Sequence, residues 1–230
     1  MTGGARRRVL AWGIIAGLLA PAAALADAGD SCPLAPEPPP ATSFSEPPNL
    51  HHFKRQLVWY RCTRYEGDIA AVVAEAGQWI AMRAPQVAKP AVILDIDETS
   101  LSNWPAIINN DFAYFPNGPC DFEKRGVPCG DNAWHRKAEA APIKPTLDLY
   151  RRLRCLDVPS AEACRKVEVF FITGRRERLV IDGEANAVFT LRNLKAAGFD
   201  DAAQDHLYLR GDDKNLTVVP HKSAAREAIE

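Results

Sequence analysis

Between Pro90 and Leu101 the chain reads AVILDIDETS, a run of apolar residues followed at once by Asp95, Asp97 and Glu98. A short, unbroken apolar run is what a strand covered on both faces looks like, the usual situation in a parallel sheet. VEVFFIT (167–173) and HLYLR (206–210) repeat the pattern. Segments of helical period lie around these strands. In GDIAAVVAEAGQWIAM, Ile69, Val72, Val73, Ala76 and Ile80 recur on one face, with Asp68 near the positive end and Pro85 beyond the last turn. PTLDLYRRLRCL starts on Pro145, and EANAVFTLRNLKAAG stops at Gly198. Strand, helix, strand, helix, strand predicts an α/β fold built on a parallel sheet.

Two stretches break this order. Residues 102–143 are rich in Asn, Pro, Gly and aromatic residues and are too long for a plain connection, so they read as an inserted cap. Residues 33–48, PLAPEPPPATSFSEPP, exclude regular helix and central strand and read as part of a proline-rich linker over 27–50. The main domain is expected over 51–230. Ahead of the linker, Arg6, Arg7 and Arg8 precede VLAWGIIAGLL and then AAALADA, the pattern of a signal peptide over 1–26. The apolar core is short for a membrane span, and Cys32 lies too far behind the cleavage site for lipid attachment, so no stable membrane anchor is expected after cleavage. Export to the periplasm or medium follows.

The 230 residues carry 28 Lys and Arg against 29 Asp and Glu, and the signal peptide removes arginines but no acids. A mildly acidic product without a basic stripe excludes nucleic acid as a partner. Six cysteines in an exported chain are expected to pair. Loop economy favours Cys120 with Cys129 and Cys155 with Cys164, leaving Cys32 with Cys62. A zinc site on Cys120, Cys129 and His135 lacks the tight spacing of zinc modules. The adjacent His51 and His52 are expected to be simply exposed.

Ligands of open α/β sheets collect at the carboxyl ends of the strands, where Asp95 lies. Asp97 can address the same ligand if the chain leaves the strand in a tight loop, and two such acids repel unless a cation or a shared proton intervenes. The pair could hold magnesium, act as acid and base, or supply a nucleophile that becomes an aspartyl-phosphate. The plain structural alternative is a strand-end turn whose Asp and Thr cap a helix. The insert aromatics Trp104, Phe112, Tyr114, Phe115 and Trp134 are expected mainly to pack the insert against its base. Asn215-Leu216-Thr217 is a glycosylation sequon only in a eukaryotic secretory route, and Arg210-Gly211-Asp212 needs no adhesive role.

DIDETSLSN resembles the first motif of the haloacid-dehalogenase-like (HAD) phosphatases, in the form seen in plant-type and related bacterial acid phosphatases. FFITGRRE is similar to the second motif and HKSAARE to the third, with NLKAAGF and LYLRGDDKN resembling connecting segments. The resemblance runs from about Tyr65 to the end and implies a Rossmann-like core with a small cap insert. It implies an acid phosphatase acting on small phosphomonoesters, with the choice between nucleotides and others left open, as is the oligomeric state. Asp95 would attack phosphorus, and Asp97 would protonate the leaving oxygen and then activate water, starting from its neutral form. Thr173 and Lys222 would hold the phosphoryl group, and Asp95 and Asp97 would hold Mg2+. Arg175 would either support the phosphate site or form a surface ion pair.

The resemblance also implies a fourth, acidic motif beyond the third, which would lie past Glu230. Asp212 and Asp213 precede the third motif and are expected to be decoys. An incomplete C-terminus would leave the first strand as an apolar edge and the metal weakly held. A weakly active or silent phosphate-binding or storage relative, and a phosphotransferase, are the competing readings.

Overall fold

A computed structural model describes residues 49–117, 126–156, 164, 166–181, 183–211 and 217–230. The signal peptide, most of the linker, Cys32, Cys120, Asp212, Asp213 and Asn215 lie outside them. Three strands form a parallel sheet in the order β1 (Ala91–Leu94), β4 (Glu168–Arg176), β7 (Leu207–Arg210). Leu94 pairs with Phe171 and Phe171 with Leu207, which lines up one row of the core across the sheet. Phe171, Tyr150 and Phe199 pack there edge to face, with Tyr150 and Phe199 5.0 Å between ring centres and Phe171 and Phe199 5.7 Å.

Tyr150 comes from α5 (Lys144–Leu153), which begins with Pro145 in its first turn as the sequence predicts. Phe199 follows α6 (Asn186–Ala196), whose end is a Schellman cap: Gly198 has φ +96°, its N–H donates to Lys195 O, and the Phe199 N–H donates to Leu194 O. The expected stop at Gly198 and the delivery of Phe199 to the core are thus one event.

The predicted strands form, but β1 is not covered on both faces. Ala91 and Ile93 are exposed, and among the described residues β1 is an edge. The helix α2 (Tyr65–Arg83) differs too, because it buries only Ile80 and leaves Val72, Trp79 and Met82 open. Two elements that sequence periodicity did not isolate frame the sheet: α1 (Leu50–Thr63) before α2, and α7 (Val218–Ile229) against β4 and β7. A two-stranded ribbon, β2 (Leu101–Ser102) with β3 (Ala141–Pro142), stands at the base of the insert. The insert contributes α3 (Trp104–Asn109) and α4 (Asp131–Lys137), with Trp104 and Trp134 buried and Tyr114 78% exposed. A second short ribbon, β5 (Val180–Ile181) with β6 (Glu184–Ala185), leads into α6.

Cys155 and Cys164 form the expected disulfide. Cys62 and Cys129 are each engaged in a disulfide too, with partners outside the described residues, which removes Cys129 from any zinc site. Among the described residues no helix is long and apolar enough to cross a membrane.

Candidate active site

β1 ends at Leu94, and the loop that follows alternates outward acids with an inward apolar residue. Ile96 is fully buried, and its carbonyl accepts from the N–H groups of Ser100 and Leu101 at 2.9 Å, closing the loop in a tight turn. Ser100 Oγ adds a bond to the Asp95 carbonyl at 2.6 Å. The turn requires φ +55° at Glu98, an uncommon conformation for a residue with a Cβ. Its side chain holds the turn, since Oε1 accepts from the Asn103 N–H at 2.5 Å and Oε2 from the Tyr65 hydroxyl at 3.1 Å. With Ile96 pinned inward, Asp95 and Asp97 are left to the same side.

Lys222 lies in the first turns of α7 and reaches back to Asp95, with Nζ 2.7 Å from Oδ2. The other oxygen, Oδ1, accepts from the Ile96 N–H at 2.9 Å. Thr173 sits within β4, not at a helix start, so it caps no helix. Its hydroxyl is fully buried, accepts from the Arg175 N–H at 3.2 Å and donates to Asp97 Oδ2 at 3.4 Å. Residues 95, 97, 173 and 222, far apart in sequence, therefore meet at the carboxyl ends of β1 and β4.

Arg175 is not a surface residue. Its side chain is 1% exposed, and Nη2 and Nε both donate to Asp97, at 2.7 and 3.2 Å, while Nη1 donates to Thr190 Oγ1. That fork grips a carboxylate far better than a carboxylic acid. Burial pushes the Asp97 carboxyl up, but Arg175 and then His135 outweigh it and hold it well below the usual carboxylate range. Asp97 is ionised in this arrangement, which corrects the expectation of a neutral starting form.

Three residues that sequence reasoning left outside the site complete it. Asn103 donates to Asp97 Oδ1 at 2.9 Å and accepts from Trp134 Nε1 at 2.9 Å, tying the insert to the loop. His135 Nε2 lies 3.4 Å from Asp97 Oδ1, and burial followed by the Arg175 charge pushes its imidazole down despite Asp97. Asp131, four residues before His135, is pushed up to about 6 by burial and by the Asp97 charge. The available signals were the place of Asn103 at the end of the first motif and the i, i+4 spacing of Asp131 and His135 beside Trp134, which places those two on one face of α4.

No group of three or more His, Cys, Asp or Glu among the described residues is arranged to hold a metal. The donor set does suit a small hard cation that keeps much of its water, because Asp95 and the Asp97 backbone offer oxygen only. With its carboxylate committed to Arg175, Asp97 would contribute its backbone carbonyl.

The fold is similar to that of the class C acid phosphatase from Bacillus anthracis, at 22% identity and a TM-score of 0.52 over 76% of this chain and 64% of that one. The tungstate-bound form of that protein matches over the same shares with a TM-score of 0.53. This chain thus spans just under two thirds of the length of those structures. No curated protein matches it in sequence. Residues of the three motifs are in contact at one site, the family described as HAD superfamily, subfamily IIIB (acid phosphatase), matches residues 48–230, and the chain belongs to that family.

Proposed function

We propose that the protein is an exported, magnesium-dependent acid phosphatase that hydrolyses small phosphomonoesters through an aspartyl-phosphate on Asp95. The observation that carries this reading is the Lys222–Asp95 contact of 2.7 Å beside the Thr173–Arg175–Asp97 cluster. A nucleophile neutralised by a cation next to a second, independently held carboxylate is what phosphoryl transfer through an enzyme-bound ester needs. Tungstate, the ligand of the related Bacillus anthracis structure, is a tetrahedral oxyanion, which supports an oxyanion in this cleft.

In the first step an oxygen of Asp95 forms a bond to phosphorus and the ester P–O bond breaks, its electron pair leaving with the ester oxygen. Lys222 offsets the charge on Asp95 and the phosphoryl oxygens. The departing oxygen needs a proton, and Asp97 does not hold one at rest. A phosphomonoester below about pH 6 carries its own, since the second ionisation of phosphate falls there. Delivered beside Asp97, that proton passes through its carboxyl to the leaving oxygen. The resting, ionised Asp97 is then the base that takes a proton from water as the water oxygen attacks phosphorus, which frees phosphate and restores Asp95. Magnesium on the Asp95 carboxylate and the Asp97 carbonyl would neutralise phosphoryl charge as a Lewis acid. An acidic optimum is retained, but its source is the substrate and not the titration of Asp97.

The test is phosphate release from a generic aryl phosphomonoester with magnesium, across pH. Asp95→Asn should abolish turnover and acid-stable labelling of the protein by radiolabelled substrate. For the parent, kcat/KM should fall as pH rises past about 6. Equal turnover by Asp95→Asn would rule out the nucleophile, and a profile flat to pH 8 would rule out the proton source.

A further inference from the structure

We propose that Asp131 is the specificity-determining residue of this site, favouring phosphomonoesters whose leaving group carries an ammonium over those whose leaving group carries a second anion. This rests on the phosphatase reading, in which Asp97 serves the leaving oxygen, so that whatever is attached to that oxygen extends toward the groups around Asp97.

One of those groups is the face of α4. His135 brings that face to within 3.4 Å of Asp97. Asp131 precedes His135 by four residues in the same helix, so the two side chains are neighbours on that face. The helix cannot drift from the site, because buried Trp134 donates to Asn103 and Asn103 donates to Asp97, each at 2.9 Å. Its start is fixed as well, with the Asp131 N–H donating to Phe115 O at 2.7 Å.

What sets Asp131 apart from the other two acids is that its carboxylate lacks a partner among the described residues. Asp95 has Lys222, and Asp97 has Arg175, Asn103 and His135. The Asp131 carboxylate is half-buried and, among the described residues, has no hydrogen-bond or ion-pair partner. A carboxylate held in that state is costly to a fold and is relieved by an incoming cation. The leaving group is the part of the substrate placed to supply it. A leaving group bearing a carboxylate or a further phosphate meets Asp131 and Asp97 together and is repelled.

Non-hydrolysable phosphonates test this without turnover. Binding of 2-aminoethylphosphonate, 3-phosphonopropionate and uncharged propylphosphonate to the full chain is measured by calorimetry at pH 7 with magnesium. The parent should bind the amine about tenfold or more tighter than the carboxylate, the size of one charge-assisted contact. In Asp131→Asn that ratio should collapse to about two- to threefold, with propylphosphonate affinity held or improved. Equal affinities in the parent, or a preference that survives in Asp131→Asn, would overturn the assignment while leaving the phosphatase reading intact. Failure of all three phosphonates to bind the parent would instead sink that reading, and this assignment with it.

Discussion

Burial and the nearby Asp97 charge raise the Asp131 carboxyl to about 6, so its ionised form is less at home in the fold than in the unfolded chain. For an acid shifted upward, the stability it contributes is whole below its unfolded value near 3.8 and is lost as pH climbs through the folded value. Replacing it with Asn removes that loss. After allowance for solvent screening of a half-exposed group, Asp131→Asn should gain roughly 1 kcal/mol at pH 7.5, a melting shift of about 2–4 °C, and nothing at pH 4. Thermal melts at the two pH values decide it, and a variant less stable at pH 7.5 would mean that the carboxylate has a counter-charge after all. Asp95 was legible because it lies where the first strand ends, a position that itself suggests chemistry, while Thr173 and Lys222 were named through the second and third motifs of the family resemblance. Asp97 was found but misjudged, since its protonation depends on an arginine 78 residues away. His135 and Asp131 lie in the insert, where only their i, i+4 spacing sets them apart from other polar residues, and Asn103 closes the first motif at a position to which the motif alone gave no role.

Strand β4 shows how an element delivers a site. Its apolar half was readable, but the strand runs on through Gly174 and Arg175, and its pairing with β7 shifts register between Ile172 and Arg176. No hydrophobic pattern marks such a continuation, because the register shift is a tertiary event. Gly174 faces the start of α7: a Cβ built there would sit 3.3 Å from Val218 Cγ2, and Val218 opens the helix that carries Lys222. Gly174→Ala should push the start of α7 outward by a few tenths of an ångström, lengthening the Lys222–Asp95 contact more than it disturbs the core. We expect turnover of an aryl phosphomonoester to drop about tenfold while the melting temperature moves by no more than about 3 °C. Trimming the neighbour in the double variant Gly174→Ala, Val218→Ala should restore most of the rate, since Val218 is 39% exposed and carries little packing of its own. A loss that persists in the double variant would show that the clash is not the cause.

At the scale of the molecule, the sheet's first strand and the helix before it form, among the described residues, one open apolar face. The pattern AAVVAEAGQWIAM promises a helix buried on one side, and the structure meets that promise only at Ile80, with Val73 and Ala76 half-covered. Local periodicity identifies which residues share a face but not whether anything covers it, so the apolar stripe was legible and its exposure was not. The open edge of β1 was anticipated only through the family's strand order. Val72, Trp79 and Met82 are each more than 60% exposed, and Val72 and Trp79 line, with Ile93 at 36%, a groove of about 540 Å³ between α2 and β1. A contiguous apolar surface next to unpaired strand N–H and C=O groups favours association with any surface of like kind. As a polypeptide of these 230 residues, the chain should therefore self-associate reversibly at tens of micromolar, with the weight-average mass rising with concentration in sedimentation equilibrium. Trp79→Glu with Met82→Lys places charges on that face without touching the buried Ile80 side of α2. The double variant should stay monomeric over the same range and melt within about 2 °C of the parent, because surface substitutions away from packed contacts move stability by roughly 0.5 kcal/mol or less. A parent that is monomeric at 100 µM would show that this face is inert, and a double variant that still associates would place the contact elsewhere on the molecule.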